Sequence, residues 1–265
     1  METISRERTI LDRIVEARRE SIAHRKRVLP DVALKLAVGK AEAPRDFAGA
    51  LSRPGVNVIA ELKKASPSRG VIREDYAPAD LAPKLEAAGA AALSVLTEEE
   101  FFSGSLLDMK AARKAVNIPV LRKDFIIDPW QVWEARAAGA DAFLLIAAIL
   151  SAESLRELLE LGRRLGMEPL VEVHSREEVG RAIAVGAQII GVNNRDLRNF
   201  NVTVETSLEL VEAIPEQCIA VSESGLRTHD DLVRLRNAGF DAFLIGEHLM
   251  KEPDPGAPLR VLIGG

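Results

Sequence analysis

"AAGADAFLLI", residues 137–146, carries the fold in ten letters. A helical pattern runs into it, Gly139 interrupts the pattern, and an apolar run follows at once. Glycine suits the left-handed position just past a helix C-terminus. The run after it is short and rich in Ala, Leu, Phe and Ile, as expected of a strand buried on both faces. The same phrase returns as "AAGAAALSVL" (87–96), "AVGAQIIGV" (184–192) and "NAGFDAFLIG" (237–246), with Gly89, Gly186 and Gly239 in the equivalent place. A recurrence about every 50 residues is an internal period, and the fold must account for it.

Four further apolar runs lie between these: "VNVIAEL" (56–62), "PVLRKDF" (119–125), "EPLVEV" (168–173) and "CIAVSES" (218–224). Helical patterns separate all eight. "SAESLRELLELGRRLG" opens on a serine cap and repeats leucine at 155, 158, 159, 161 and 165. "SREEVGRAIAVG" and "THDDLVRLRNAG" begin with Ser or Thr and place acids in the first turn, where the helix dipole favours them. Eight strands alternating with helices, at 20 to 35 residues per unit, predict parallel βαβ connections. Eight such units close as an α/β fold of the (β/α)8 TIM-barrel type. A doubly wound open sheet would announce itself with GxGxxG or GxxxxGK[ST], and neither occurs.

The expected organisation is a single domain over residues 1–265. It has a helical extension over 1–50, eight βα units over 56–250 and a last helix over 251–265. In the extension, Ile10, Leu11, Ile14, Val15 and Ile22 recur at helical spacing among arginines, which predicts an amphipathic helix packed as a cap on the barrel. A chain of 265 residues needs no second domain to hold this much.

Composition narrows the function. Net charge is −5, so no basic balance points to nucleic acid. Cys218 is the sole cysteine, which excludes an intrachain disulfide, a CxxC redox pair and a cysteine-rich zinc site. His24, His174, His229 and His248 are scattered without metal-ligand spacing and read as surface or packing residues. The first 13 residues are charged throughout and lack the apolar core of a secretory signal. The longest apolar run, "AFLLIAAIL" (142–150), is roughly half a membrane span. A cytoplasmic protein with no metal, no cofactor and neither a nucleic-acid nor a membrane partner is expected.

Polar groups collect where these strands end. "PVLRKDF" begins as a buried strand yet ends in three charges, placing Lys123 on the same face as Leu121 and Phe125. "IAELKKASPSRG" puts Glu61 and Lys63 on one face, "LVEV" ends at Glu172, and "GVNNRDL", "VSESG" and "LIGEHLM" close the last three strands. One charge at a strand end ordinarily forms a solvated ion pair. Six polar strand ends converging on one barrel mouth are more naturally a ligand site, because buried charges are costly unless paired. Loops after strands 7 and 8 often bind phosphate through backbone N–H groups, which makes Ser224, Gly225, Ile245, Gly246 and Glu247 candidates.

These blocks, in this order, resemble the indole-3-glycerol-phosphate synthases of tryptophan biosynthesis. The likeness spans "ILDRIV", "RDFAGAL", "VIAELKKASPSRG", "LTEEEFFSGSLLDM", "VLRKDFIIDPWQVWEARAAGADAFLLI", "PLVEVHSREEV", "GVNNRDLRNF", "VSESGL" and "LIGEHLM". The resemblance implies a (β/α)8 barrel with an N-terminal helical extension, in keeping with the period. It also implies a carboxy-lyase that closes the indole ring of 1-(2-carboxyphenylamino)-1-deoxyribulose 5-phosphate with loss of carbon dioxide and water. Carried over by position, Lys123 matches the family's general acid, Glu172 its general base and Lys63 its second catalytic lysine. Glu61, Asn193 and Glu223 match polar groups around the reacting centre. Ser66 and Arg195 match the anthranilate end of the site, Phe125 and Leu197 its apolar walls, and the residues of the last two loops its phosphate site. Lys64 and Arg122 should face away, and Trp130 and Trp133 should lie far from the mouth. His248 stands where a smaller residue is expected. Loop 63–72 is expected to close over substrate as a lid. A monomer is expected, with at most weak association with other enzymes of the pathway. Against this stand a Schiff-base aldolase, another phosphosugar-acting barrel such as phosphoribosylanthranilate isomerase, and a non-catalytic phosphate-ligand barrel.

Overall fold

A computed structural model describes residues 9–196 and 200–264. Eight parallel strands close the barrel: β1 (Asn57–Leu62), β2 (Ala92–Leu96), β3 (Val120–Lys123), β4 (Ala142–Ile146), β5 (Leu170–Val173), β6 (Ile189–Asn193), β7 (Ile219–Glu223) and β8 (Ala242–Ile245). Each pairs with its sequence neighbours, and β8 returns to β1 through Asn57 opposite Ala242 and Ala60 opposite Ile245. The four repeat glycines all take positive φ, from 83° at Gly186 to 116° at Gly239, so each ends a helix in the left-handed turn that L residues resist. The period in the sequence is therefore the barrel's own helix-to-strand joint.

Alternation along the strands divides the side chains into two packed sets. Ile59, Leu121, Leu144, Leu170, Ile189, Val221 and Leu244 fill the barrel interior, while Val58, Val120, Phe143, Val171 and Ile190 meet the helix layer. The interior continues at both ends into residues of the extension. Phe47 and Leu51, on helix Phe47–Leu51, join it at the N-terminal end, where Leu51 O accepts from Asn57 Nδ2 at 2.9 Å. Ile14, on helix Ile10–Val28, and Phe125 join it at the mouth.

The extension is more than the single helix expected. A second helix, Asp31–Val38, packs beside helix Pro129–Ala137, and Trp130 Nε1 donates to Leu29 O at 2.9 Å. Trp130 and Trp133 both pack at this seam, away from the mouth. An ion network ties the first helix to the end of β3. Arg122 donates to Asp124 at 3.0 Å and to Glu134 at 2.8 Å, Thr97 Oγ1 donates to Asp124 at 2.6 Å, and Arg18 pairs with the same Asp124 carboxylate. Two of the three charges ending β3 thus belong to the ion network, with Arg122 fully buried behind the strand, while Lys123 carries its ammonium into the mouth. No helix among the described residues is long and apolar enough to cross a membrane.

Candidate active site

Residues two apart on a strand share a face, so the last inward position of each strand contributes to one ring at the mouth. Lys63, Lys123, Glu172, Asn193 and Glu223 meet there around a cavity of about 130 Å³. Lys123 Nζ donates to Glu172 Oε2 at 2.7 Å and to Glu223 Oε2 at 2.8 Å, across the barrel from β3 to β5 and β7. Lys63 pairs with Glu61, whose other oxygen accepts from Ser94 Oγ at 3.4 Å. Asn193 Oδ1 accepts from Arg195 N at 3.0 Å and Ser224 Oγ at 2.9 Å. Groups 100 residues apart in sequence become hydrogen-bonded neighbours.

Burial and pairing set the protonation states. Burial works against the Lys123 ammonium, but Glu172, Glu223 and Glu61 outweigh it and hold the ammonium firmly charged. Burial likewise works against the Glu172 carboxylate, yet Lys123 and His174 keep it well below the usual carboxylate range. Glu223 goes the other way. Burial pushes it up to about 7, and the ammonium it shares with Glu172 recovers only part of that. Glu223 Oε1 has no hydrogen-bond partner and is shut off from solvent, an acceptor left open inside the site.

Gly191 makes this possible. On β6, beside β5 and β7, a Cβ at this position would lie 2.3 Å from Glu223 Oε1 and 3.1 Å from Leu170 Cδ1. Gly191→Ala should therefore push the Glu223 carboxylate off Lys123. A misplacement of about 1 Å costs on the order of 10²-fold in rate. We expect such a loss in kcat with an intact far-ultraviolet dichroism spectrum, and unchanged turnover would show that Glu223 needs no fixed place.

The cavity's remaining walls are apolar. Phe125 and Phe102 stand 5.9 Å apart between ring centroids, and Leu96, Leu144, Ile146 and Leu244 line the floor. Ile10, Leu11 and Ile14 close the side, so the first helix, expected to be a packing cap, also forms a wall of the site. Its apolar stripe was visible in the sequence; that the stripe overhangs the mouth was not. Ser66 and Arg195 border the same cavity.

A second cavity of about 450 Å³ adjoins the first through Glu61, Lys63, Arg195 and Ser224. Ser224, Gly225, Gly246, Glu247 and His248 line it. Ser224 holds a left-handed φ of 69°, fixed by its bond to Asn193 and by Asn194 Nδ2 donating to its carbonyl at 3.0 Å, and so turns the chain sharply after β7. Ile245 borders the cavity, but its side chain packs into the layer between barrel and helices, leaving its main chain for a ligand. Glu247 gathers three cations: Lys251 at 2.7 Å, Arg69 at 3.3 Å and Arg195 at 3.8 Å. A carboxylate cannot itself receive phosphate; what Glu247 offers an anion is its main chain and the cations around it. Arg69, which sequence reasoning passed over, reaches this cavity from loop 63–72, where Ala65–Ser66 pairs with Gly70–Val71 as a small antiparallel ladder. Leu197 lies outside the described residues.

Lys64 borders neither cavity. His174, expected to be a surface or packing residue, is mostly buried beside the mouth. It sits two residues beyond Glu172, its Nε2 3.4 Å from Glu172 Oε1.

A closed parallel barrel whose C-terminal mouth gathers lysines and carboxylates beside an anion-sized polar cavity defines a TIM-barrel enzyme with acid–base equipment. Comparison with known proteins narrows that class. A family described as indole-3-glycerol phosphate synthase matches residues 11–262, and the chain belongs to this family. It is 53% identical over 249 residues to the indole-3-glycerol phosphate synthase of Chloroherpeton thalassium, covering 91% of this chain and 95% of that one. With the enzyme of the same name from Aromatoleum aromaticum it shares 45% over 259 residues, covering 96% and 99%. Among solved structures, a variant tryptophan synthase alpha-subunit from Pyrococcus furiosus superposes with a TM-score of 0.61 at 14% identity, covering 79% of this chain and 98% of that one. Thiamine phosphate pyrophosphorylase from the same organism gives 0.59 at 17%, covering 80% and 95%. At such identities these two structures speak to the barrel fold alone.

Proposed function

We propose that the chain closes the indole ring of 1-(2-carboxyphenylamino)-1-deoxyribulose 5-phosphate, a carboxy-lyase reaction that gives indole-3-glycerol phosphate, carbon dioxide and water. One observation carries the assignment of roles. Lys123 is clamped between two carboxylates, 2.7 and 2.8 Å away, in an apolar cavity that adjoins a cation-bordered one. The ring carbon bearing the carboxylate attacks the ketone carbon, and the ketone oxygen becomes an alkoxide. Lys123, held charged, stands ready to protonate so basic an oxygen. Carbon dioxide then leaves with its bonding electrons remaining on the ring, which restores the benzene system. Loss of the new hydroxyl as water requires one proton delivered to the departing oxygen and another taken from the adjoining carbon of the five-membered ring.

Glu172 is the base on this reading. Glu223 has a claim to part of the work, because an acidity near neutrality suits a group that must both take and release a proton. Lys63, paired with Glu61, faces both cavities and would orient the substrate carboxylate with Arg195 and Ser66. Phe125 and its apolar neighbours would hold the benzene ring. Main-chain groups at Ser224, Gly225, Gly246 and Glu247 would take the phosphate, with Arg69 closing from loop 63–72 as its lid. Holding the two ends while the molecule folds supplies much of the rate. The clamp counts against a Schiff-base aldolase, whose lysine must shed its proton to attack a carbonyl. A biosynthetic enzyme acting on a small phosphorylated substrate suits a cytoplasmic setting.

The test is appearance of indole fluorescence from that substrate in the presence of EDTA, with one carbon dioxide released per indole formed. Because Glu223 gains its charge only as pH rises through about 7, kcat/KM should climb across that range and level off above it. In Glu223→Gln that limb should disappear. Absence of indole, or borohydride trapping of a lysine adduct in its place, would overturn the assignment.

A further inference from the structure

Two ammonium groups, on Lys63 and Lys123, face three buried carboxylates at the mouth, on Glu61, Glu172 and Glu223. Low-dielectric surroundings make one surplus negative charge expensive. A third cation is available beside them, on a residue that the roles above leave idle. The His174 ring is largely buried, with Nε2 3.4 Å from Glu172 Oε1 and Nδ1 3.5 Å from Glu178 Oε2. Glu172 Oε1 is the oxygen that Lys123 does not use. Glu178 is itself fixed, since its Oε2 accepts from His174 N at 2.7 Å and its N–H caps onto Ser175 Oγ at 3.3 Å.

We propose that His174, steered by Glu178, is a positioning residue for the proposed base. It holds Glu172 by its second oxygen and places a positive charge between the Glu172 and Glu178 carboxylates. The inference rests on the acid–base reading given above. The groups facing the ring are Glu172 from β5, Glu178 from helix Arg176–Ala184 and Glu223 from β7, with Lys123 beyond Glu172. Glu172 and Glu178 touch the ring, and Glu223 acts on it from farther off, so every one of the three is acidic. Burial opposes a charged imidazole, but Glu178 and Glu172 reverse that and raise its proton affinity above the ordinary histidine value. Both ring nitrogens are sealed from solvent without a well-formed side-chain hydrogen bond, so the hold on each carboxylate is one of charge across a water-free gap.

His174→Phe keeps the ring's bulk and removes both its charge and its donors. Without the cation, the carboxylates hold their protons to higher pH. The acidic limb of kcat/KM should therefore move up by about one pH unit, and kcat at pH 7 should fall about fivefold with little change in KM. His174→Gln restores a donor without charge, and it should recover part of kcat while keeping the displaced limb. Separately, nuclear magnetic resonance titration of the unmodified chain should give His174 an apparent pKa above 6.5, falling toward that value in Glu178→Gln. This readout needs no turnover and holds even if His174→Phe does not fold. An unmoved limb in both His174 variants, or a ring titrating at or below 6.5, overturns the inference. Glu172→Gln separates the two levels. If it remains active, the acid–base reading falls. If it is inactive while the His174 variants behave as the parent, only the positioning role falls.

Discussion

Lys123→Met should reduce kcat by about 10²- to 10⁴-fold, the usual worth of a positioned proton donor. The thioether side chain fills similar space but can neither donate a proton nor stabilise the oxyanion at the ketone. KM should change little, because the apolar wall and the cation-bordered cavity do not involve Lys123 Nζ. The substitution also leaves Glu172 and Glu223 facing each other with no ammonium between them, so the pair must share a proton. Carboxylates whose folded pKa values rise above their unfolded ones stabilise the fold while protonated and lose that contribution as pH increases. Relative to the parent, the variant should therefore gain stability between pH 8 and pH 5, as followed by thermal unfolding. Turnover within tenfold of the parent would remove Lys123 from the mechanism.

The largest effect on stability should come from the residue next to it. Asp124 Oδ2 accepts from Arg122 at 3.0 Å, Thr97 at 2.6 Å and Arg18, while Oδ1 accepts from Phe125 N at 2.8 Å. Both arginines are buried. Asp124→Ala leaves Arg18 without its carboxylate and Arg122 with Glu134 as its remaining acidic partner, beside its bonds to Thr97 Oγ1 and Gln131 O, at a cost of about 3–5 kcal/mol. For a chain of this size, that lowers the melting midpoint by roughly 10 °C. The same bond anchors the helix carrying Ile10, Leu11 and Ile14 over the cavity, so KM should rise several-fold in whatever fraction remains folded. Asp124→Asn, which keeps two oxygen- or nitrogen-based contacts without the charge, should lie between. A midpoint unchanged in Asp124→Ala would mean that the network is solvated in solution.

These two neighbours mark the limit of what can be read along a chain. "RKD" at the end of β3 presented three charges of equal claim, and alternation alone assigned Lys123 to the mouth and Arg122 to the far side. It could not say that Asp124 would bind the N-terminal helix, because that partner, Arg18, lies 106 residues away. Nor could it decide the proton affinity of Lys123, where burial and nearby carboxylates oppose each other and only distances tell which prevails.

The repeat of Gly89, Gly139, Gly186 and Gly239 fixed the barrel from sequence, since a helix stop followed by a doubly buried strand is a local matter of backbone conformation and apolar pattern. The inward alternation at each strand end named most of the mouth residues for the same reason. Tertiary structure alone decided how they combine: the surplus of carboxylates around Lys123, the room that Gly191 leaves for Glu223, the cations drawn to Glu247, and His174 beside Glu172. Electrostatic energy depends on separation through space and on exclusion of water, and neither quantity is written in the order of residues along the chain.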